Sequence, residues 1–399
     1  MLISHKVALR PNNKQATCLA KSAGCARFAY NWALDQWNSQ YQAHKENNAL
    51  PKPNQMALRR RLNAIKRTDY PWMLEVTKCA PQLAIMQLGQ AFQNFFAKRA
   101  KRPVFRKKGV RDRFSLSSDQ FAIKGKKARL PHIGYVRMAE SLRFEGKIMS
   151  AAISRTADRW YISITVDTPD QIPAKAESQG AVGVDLGVSH LATLSTGEKI
   201  AGPKPHKALL NRLRRLSRSL SRKQKGSKNR QKAKDKLSRL HARISNIRND
   251  ALHKLTSEIV KRFILIGIED LNTRGMLKNR HLSRSIADMG FFEFKRQLEY
   301  KSQWNSRNLF VVDRFYASSK LCSNCGYKKV DLTLKDREWD CSQCSAHHDR
   351  DINAAVNLRN LAVSSTASAC GEGSAGSGHE FRVKLPSVKQ EFNDRFVHV

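Results

Sequence analysis

Acidic residues are scarce in this 399-residue chain: 33 Asp and Glu stand against 73 Lys and Arg, a formal charge of +40. A folded protein with that excess repels itself unless a polyanion neutralises it, which leaves nucleic acid or an anionic membrane as partner. Long apolar runs are missing too. The longest in the central region is FILIGI, 263–268, far below spanning length. The opening MLISHKVALRP has too short an apolar run for a secretory signal. Nucleic acid is therefore the expected partner, with no membrane. Cysteine is not spread as a disulfide framework would need. Four of the eight lie within 322–344, and Cys18, Cys25, Cys79 and Cys370 sit in apolar or linker context, where they read as inert thiols in a reducing, cytoplasmic setting.

The length exceeds what one compact core usually holds, so about two to four units are expected. Residues 1–17 contain a strand-like stretch, ISHKVALRP. From about 18 to 102 the pattern is helical, with Phe28, Trp32 and Trp37 near one face and Leu88, Phe92 and Phe95 at spacings of four and three. Such an aromatic stripe reads as packing before it reads as a base-stacking platform. KRPVFRKKGVRDR, 101–113, gathers seven basic residues, and KIMSAAISR with RWYISITVD predicts an antiparallel pair over about 147–167. The first strand is expected to join that later sheet, making the helical block an insertion.

VGVDLGVSHLATLSTGEKI reads as three strands, the first through Asp185. Residues 201–250 then hold 17 Lys or Arg against Asp235 and Asp250 alone. Leu213, Leu216 and Leu220, then Leu237, Leu240, Ile244 and Ile247, keep apolar stripes broken at Gly226-Ser227, which predicts a helical hairpin with cationic outer faces. A solvated surface normally mixes both signs; one sign dominates here, as a phosphate-tracking face requires. RFILIGIEDL reads as a buried strand ending at Glu269, followed by an amphipathic helix (FFEFKRQLEYKSQWNSR) and another strand (NLFVVDRF). SSTASACGEGSAGSGHE opens a tail, 364–399, that reads as a flexible extension.

Cys322-x2-Cys325, fifteen residues, then Cys341-x2-Cys344 is four-thiolate zinc spacing. One ion replaces a core that some twenty residues could not build, and a full set of protein ligands marks a structural site. His347 and His348 are then surface or nucleic-acid contacts.

Asp185, Glu269 and Asp351 lie 84 and 82 residues apart. Singly, each has a plain reading: a turn residue after a strand, a residue leaving a strand into solvent, an N-cap. Together they end two buried strands and begin the helix that follows the last strand, and ligand sites collect at strand ends of open α/β sheets. Converging acids would repel a phosphate unless divalent cations intervened. Mg²⁺ prefers oxygen ligands, and two such ions clamp the attacking and leaving oxygens of a phosphodiester.

At GVDLG, IEDL, the SSKLCSNCG…CSQC ribbon and DRDINAAVNL, the sequence resembles the TnpB family of insertion-sequence proteins, compact RNA-guided DNA endonucleases related to type V CRISPR effectors. The likeness spans 1 to about 362. It implies an α/β multidomain fold: an RNase H-like (RuvC) nuclease domain with an inserted zinc ribbon, and a β-barrel wedge domain interrupted by a helical recognition domain. The corresponding boundaries are wedge 1–17 and 103–175, recognition domain 18–102, nuclease 176–320 with the basic hairpin at 203–262, ribbon 321–346, last nuclease helix 347–363 and tail 364–399. The resemblance implies Asp185, Glu269 and Asp351 as catalytic, Mg²⁺-holding carboxylates, with Asp270 and Asp349 as bystanders, and Cys322, Cys325, Cys341 and Cys344 as ligands of one zinc ion. It implies a guide RNA and double-stranded target DNA as partners in a prokaryotic cytoplasm, close to the nucleoid. The other readings are a transposase acting on element ends and a non-cleaving regulator that binds nucleic acid. No His-hydrophobic-His motif beside a tyrosine supports a tyrosine transposase.

Overall fold

The computed structural model describes residues 1–169, 180–333 and 335–371. The first strand, β1 (Leu2–Arg10), alternates strictly, burying Ile3, His5, Val7 and Leu9, the period of a half-buried strand. Three helices follow: α1 (Asn13–Glu46), α2 (Gln55–Ile65) and α3 (Cys79–Phe96). Helix α1 begins five residues before the expected helical block because Asn12 and Gln15 form a reciprocal capping box. The chain then returns as β2 (Arg113–Ser117), β3 (Ala122–Lys124), β4 (Lys127–Leu130), β5 (Gly134–Met138), β6 (Lys147–Thr156) and β7 (Arg159–Asp167).

Strand β1 pairs antiparallel with β7 from Leu2↔Asp167 to Leu9↔Trp160, so the helices interrupt a sheet completed some 150 residues later. They do not stand apart from it. Leu19, Leu34, Leu88 and Phe92 join Leu116, Ile153, Ile162 and Ile164 of the strands in one continuous buried cluster. The aromatic stripe lies in that core: the Trp37 and Phe92 rings stack at 4.4 Å.

The expected barrel is not closed by pairing. Among the described residues the strand order is β2-β6-β7-β1-β5-β4-β3, an open seven-stranded sheet with β2 and β3 at its edges. These edges are neighbours in the chain, joined through the 3-10 turn Ser118–Gln120. Five residue steps keep their ends within about 18 Å, so the sheet curls back on itself and the covalent chain bridges the gap that hydrogen bonds leave.

The second sheet has order β10-β9-β8-β11-β12. Its strands are β8 (Ala181–Asp185), β9 (Ala192–Leu194), β10 (Lys199–Ile200), β11 (Leu265–Glu269) and β12 (Asn308–Val312). Strands β8, β11 and β12 run parallel. Between β10 and β11 lie α4 (Pro205–Ala208), α5 (Leu210–Ser221) and α6 (Lys228–Arg262). Helix α6, 35 residues, is about 50 Å long, and its two ends do different work. Leu252, Leu255, Ile259 and Val260 pack under the sheet with Phe294 and Leu298 of a later helix. The other end forms the hairpin with α5, where Leu240 and Ile244 are buried and Leu213, Leu216 and Leu220 half-buried. Arg230 closes the hairpin by donating to the Leu220 and Lys223 carbonyls at 3.0 and 2.8 Å. Arg212, Arg214, Arg215 and Arg218 remain exposed.

After β11 come α7 (Thr273–Met276), α8 (Ser283–Met289) and α9 (Phe291–Trp304), then β12, a two-stranded ribbon of β13 (Glu338–Asp340) and β14 (His347–Asp349), and α10 (Arg350–Gly371). Helix α10 carries on past 363 into the segment expected as a flexible tail; from 372 onward that tail lies outside the described residues, as does the expected boundary at 175–176. No helix among the described residues is long and apolar enough to cross a membrane.

Candidate active site and metal centre

Strands β8 and β11 end on acids, Asp185 and Glu269, and each acid follows a glycine by two positions. Side chains two apart share a sheet face, so Gly183 and Asp185 look the same way, as do Gly267 and Glu269. Both glycines lie under α10. A Cβ on Gly183 would fall 1.8 Å from the Ala355 carbonyl oxygen, and one on Gly267 2.6 Å from that of Leu358. Only bare backbone lets the helix sit this close. Asp351 is one turn before Ala355 on the same helical face, which brings it to the strand-end rim.

The charges report that convergence. Asp185 is pushed up to about 7, first by burial and then by repulsion from Asp351 and Glu269. Glu269 is raised by burial and by Asp270. The bystander acids behave oppositely. Asp270 is held low by hydrogen bonds from Lys295 and Arg314. Asp349, partly buried, is held low by Lys199 and by backbone N–H groups: its Oδ1 accepts from Asp351 N at 3.1 Å and Ile352 N at 3.0 Å. Asp349 is thus the cap of α10, and Asp351 stands inside the first turn with its carboxylate free of that duty; Arg337 approaches it at 3.9 Å. Asp351 and Glu269 lie within electrostatic reach of Asp185. Among the described residues, the group whose ligand atoms gather closely enough to hold a metal is a different one.

That group is Cys322, Cys325, Cys341 and Cys344, whose sulfurs all lie within 4.8 Å of one another. The Cys322–Cys344 and Cys325–Cys341 Sγ distances are 3.6 and 3.5 Å, far beyond a disulfide and near the roughly 3.8 Å edge of a tetrahedron with 2.3 Å metal–sulfur bonds. The two knuckles repeat one turn. Gly326 N donates to Cys322 O at 2.8 Å and Ser345 N to Cys341 O at 2.9 Å, and both donors adopt positive φ, 79° and 56°. Asn324 donates to Cys344 Sγ and pulls that thiol's pKa down, towards the thiolate a metal needs. His348 is not a surface residue. It is buried, with Nε2 3.0 Å from Cys322 Sγ and its ring against Trp339; the alternation of β14 turns it inward, whereas His347 faces out to Asp340 at 2.7 Å.

Sequence reading missed the bolt between the two sites. Asn353 Nδ2 donates to Leu321 O at 2.7 Å and its Oδ1 accepts from Ser323 N at 2.9 Å. Asn357 Nδ2 donates to Ser318 O at 2.8 Å and Leu321 O at 2.7 Å. Two buried amides on one face of α10 thereby clamp the first cysteine knuckle, a different helical face from the one that carries Asp351 and Ala355. The signal was the Asn-x3-Asn spacing in DINAAVNL.

Three family models match the chain: OrfB_IS605, described as "Probable transposase", over residues 162–280; the Cas12f1-like TNB domain over 291–358; and the HTH_OrfB_IS605 helix-turn-helix domain over 1–46. A Streptomyces pristinaespiralis protein assigned as an RNA-guided DNA endonuclease is 38% identical over 396 residues, covering 97% of this chain and 95% of its own length. InsQ of Escherichia coli (strain K12), assigned likewise, is 34% identical, with 93% and 94% covered. The Cas12f1 chain of a complex with sgRNA and target DNA shares the fold at a TM-score of 0.55 and 14% identity, over 88% of this chain and 83% of its own.

Proposed function

Because the chain belongs to the TnpB family of transposable-element proteins, we infer that it is an RNA-guided DNA endonuclease, working with a guide RNA on a DNA target, and we propose that phosphodiester hydrolysis takes place at Asp185, Glu269 and Asp351. The carrying observation is the division among neighbouring acids. Asp270 and Asp349 are spent on Lys295, Arg314, Lys199 and a helix cap, whereas Asp185 and Glu269 are raised by burial and repulsion. In a chain of charge +40, a buried Asp185 with the charges of Asp351 and Glu269 in reach supports a cation site at these strand ends.

The donor set fits Mg²⁺. All three groups offer carboxylate oxygens, and a divalent ion would offset the burial and the repulsion that raise Asp185. When bound, Mg²⁺ supplies charge neutralisation and Lewis acidity at the scissile phosphodiester. Asp185 and Glu269 would hold it from the sheet and Asp351 from the helix. Asp349 would keep Asp351 oriented by capping α10, while Asp270, itself paired with Lys295 and Arg314, adds to the charge that raises Glu269. The cysteine quartet, with four thiolates at tetrahedral spacing, fits structural zinc. In this reading the second sheet with α10 is a RuvC-type nuclease domain, the curled first sheet and α1–α3 are the wedge and recognition parts that check DNA flanking the target, and the basic hairpin holds the RNA backbone by shape and charge.

The test is to purify the protein with its bound RNA, sequence that RNA, then change its end. Cleavage that follows the new sequence is expected. Cutting confined to the element's own ends, without RNA, would contradict the reading and favour a transposase.

A further inference from the structure

Phe315 is the most exposed large apolar side chain among the described residues, at 87% of its full surface, and the backbone carrying it is fixed. It stands three residues past Val312, the residue paired with Glu269 across the β11–β12 ladder. Paired strands lie about 4.8 Å apart and three residues reach at most about 11 Å, so the Phe315 backbone is within about 16 Å of Glu269. The turn is held at three points. Asp313 Oδ1 accepts the Phe315 N–H at 2.8 Å, Arg314 is ion-paired with Asp270, and Ser318 O accepts from Asn357 of α10 at 2.8 Å. A phenyl ring kept in water costs free energy with no return from the fold. A loose tip could bury it; this turn holds it out beside the strand ends.

We propose that Phe315 is a stacking platform for a base of the DNA strand lying in the active site, setting where along that strand the carboxylates act. The proposal rests on the nuclease reading above. An aromatic face stacks on any base, which suits an enzyme whose target is chosen by pairing to RNA. A protein partner would want a contiguous apolar patch, and the residues just before Phe315, Asp313 and Arg314, are charged and exposed.

The test uses the RNA-bound protein and target DNA bearing a single abasic site, moved one nucleotide at a time across the cleaved region, with Phe315→Ala, Phe315→Trp and Phe315→Leu compared. With intact DNA, kcat/KM is expected to fall about tenfold in Phe315→Ala and in Phe315→Leu, and to return in Phe315→Trp. At one position the abasic site should cost the wild type the same about tenfold and cost Phe315→Ala nothing further. Melting temperature and target binding should not move. Wild-type kcat/KM in Phe315→Ala, rescue by Leu equal to rescue by Trp, or additive losses at every position would each overturn the platform. No cleavage by the wild-type complex would overturn the nuclease reading itself.

Discussion

Gly267 stands directly across from Gly183 in the parallel ladder of β11 and β8, and both lie against the backbone of α10. The pair is a seat. Its floor is level because neither strand projects a Cβ there, and the helix that settles on it carries Asp351 to within electrostatic reach of Asp185.

Gly183→Ala should therefore be among the most damaging single-methyl additions in the chain. The Ala355 carbonyl is backbone and cannot swing aside, so the helix or the strand must move. We expect a loss of about 1–3 kcal/mol in stability, read from the denaturant midpoint, and a fall in cleavage larger than in RNA binding. Gly24→Ala, whose Cβ would meet only an Arg27 guanidinium nitrogen at an ordinary 3.8 Å, is the control for an added methyl without a clash.

The pH response of the metal-free protein follows from Asp185. Its folded pKa, about 7, lies above the ordinary 3.8, so the native state binds the extra proton between those values. Stability gained from that proton is present at low pH and is lost as pH rises from about 4 to about 7. In EDTA at pH 8, Asp185→Asn should be more stable than wild type by a few kcal/mol at most, and near pH 4 the difference should vanish. Melting curves across this range check the sign; saturating Mg²⁺ should remove the wild type's deficit.

Zinc and α10 should be separable. Cys344→Ser is expected to lose the ion and, with it, the ribbon's small core of Cys322, Leu332, Trp339 and Cys341. Asn353→Ala should keep the ion yet leave Ser323 N without its acceptor, while Leu321 O retains Asn357, at a cost of about 1–3 kcal/mol, and lower cleavage by loosening α10. Metal analysis alongside melting curves distinguishes the two. Full activity of a zinc-free Cys341→Ser/Cys344→Ser protein would remove the coupling.

The basic hairpin predicts a salt law. Replacing Arg212, Arg214, Arg215 and Arg218 together by Gln should lower affinity for the guide RNA. It should also flatten the slope of log K against log salt, by about 0.7 for each single-strand phosphate that is no longer neutralised. Titrations of the RNA at several salt concentrations read this directly. A lower affinity with an unchanged slope would assign those arginines to something other than phosphate.

Much of this was legible in the chain. Continuous apolar runs ending on an acid announced β8 and β11, and Cys-x2-Cys pairs announced the quartet, because both depend on local pattern. What stayed hidden depends on partners far away in sequence. Alternation in the first sheet gave strands but could not say that β2 and β3 would fail to pair. Asp351 could be taken for an N-cap until Asp349 was seen to hold that place. His348 looked like a surface residue because the ribbon's inward face exists only once four sulfurs converge. The glycines at 183 and 267 carried the clearest unread signal, one Gly-x-acid pattern at two adjacent strand ends.

The most direct measurement is Mg²⁺-dependent cleavage by the RNA-bound protein carrying Asp185→Asn, Glu269→Gln or Asp351→Asn, with target binding measured on the same samples. Each change should lower cleavage on the order of 10³-fold or more while binding holds, and Asp270→Asn should cost far less. Wild-type cleavage by any of the three would contradict a site built from these carboxylates.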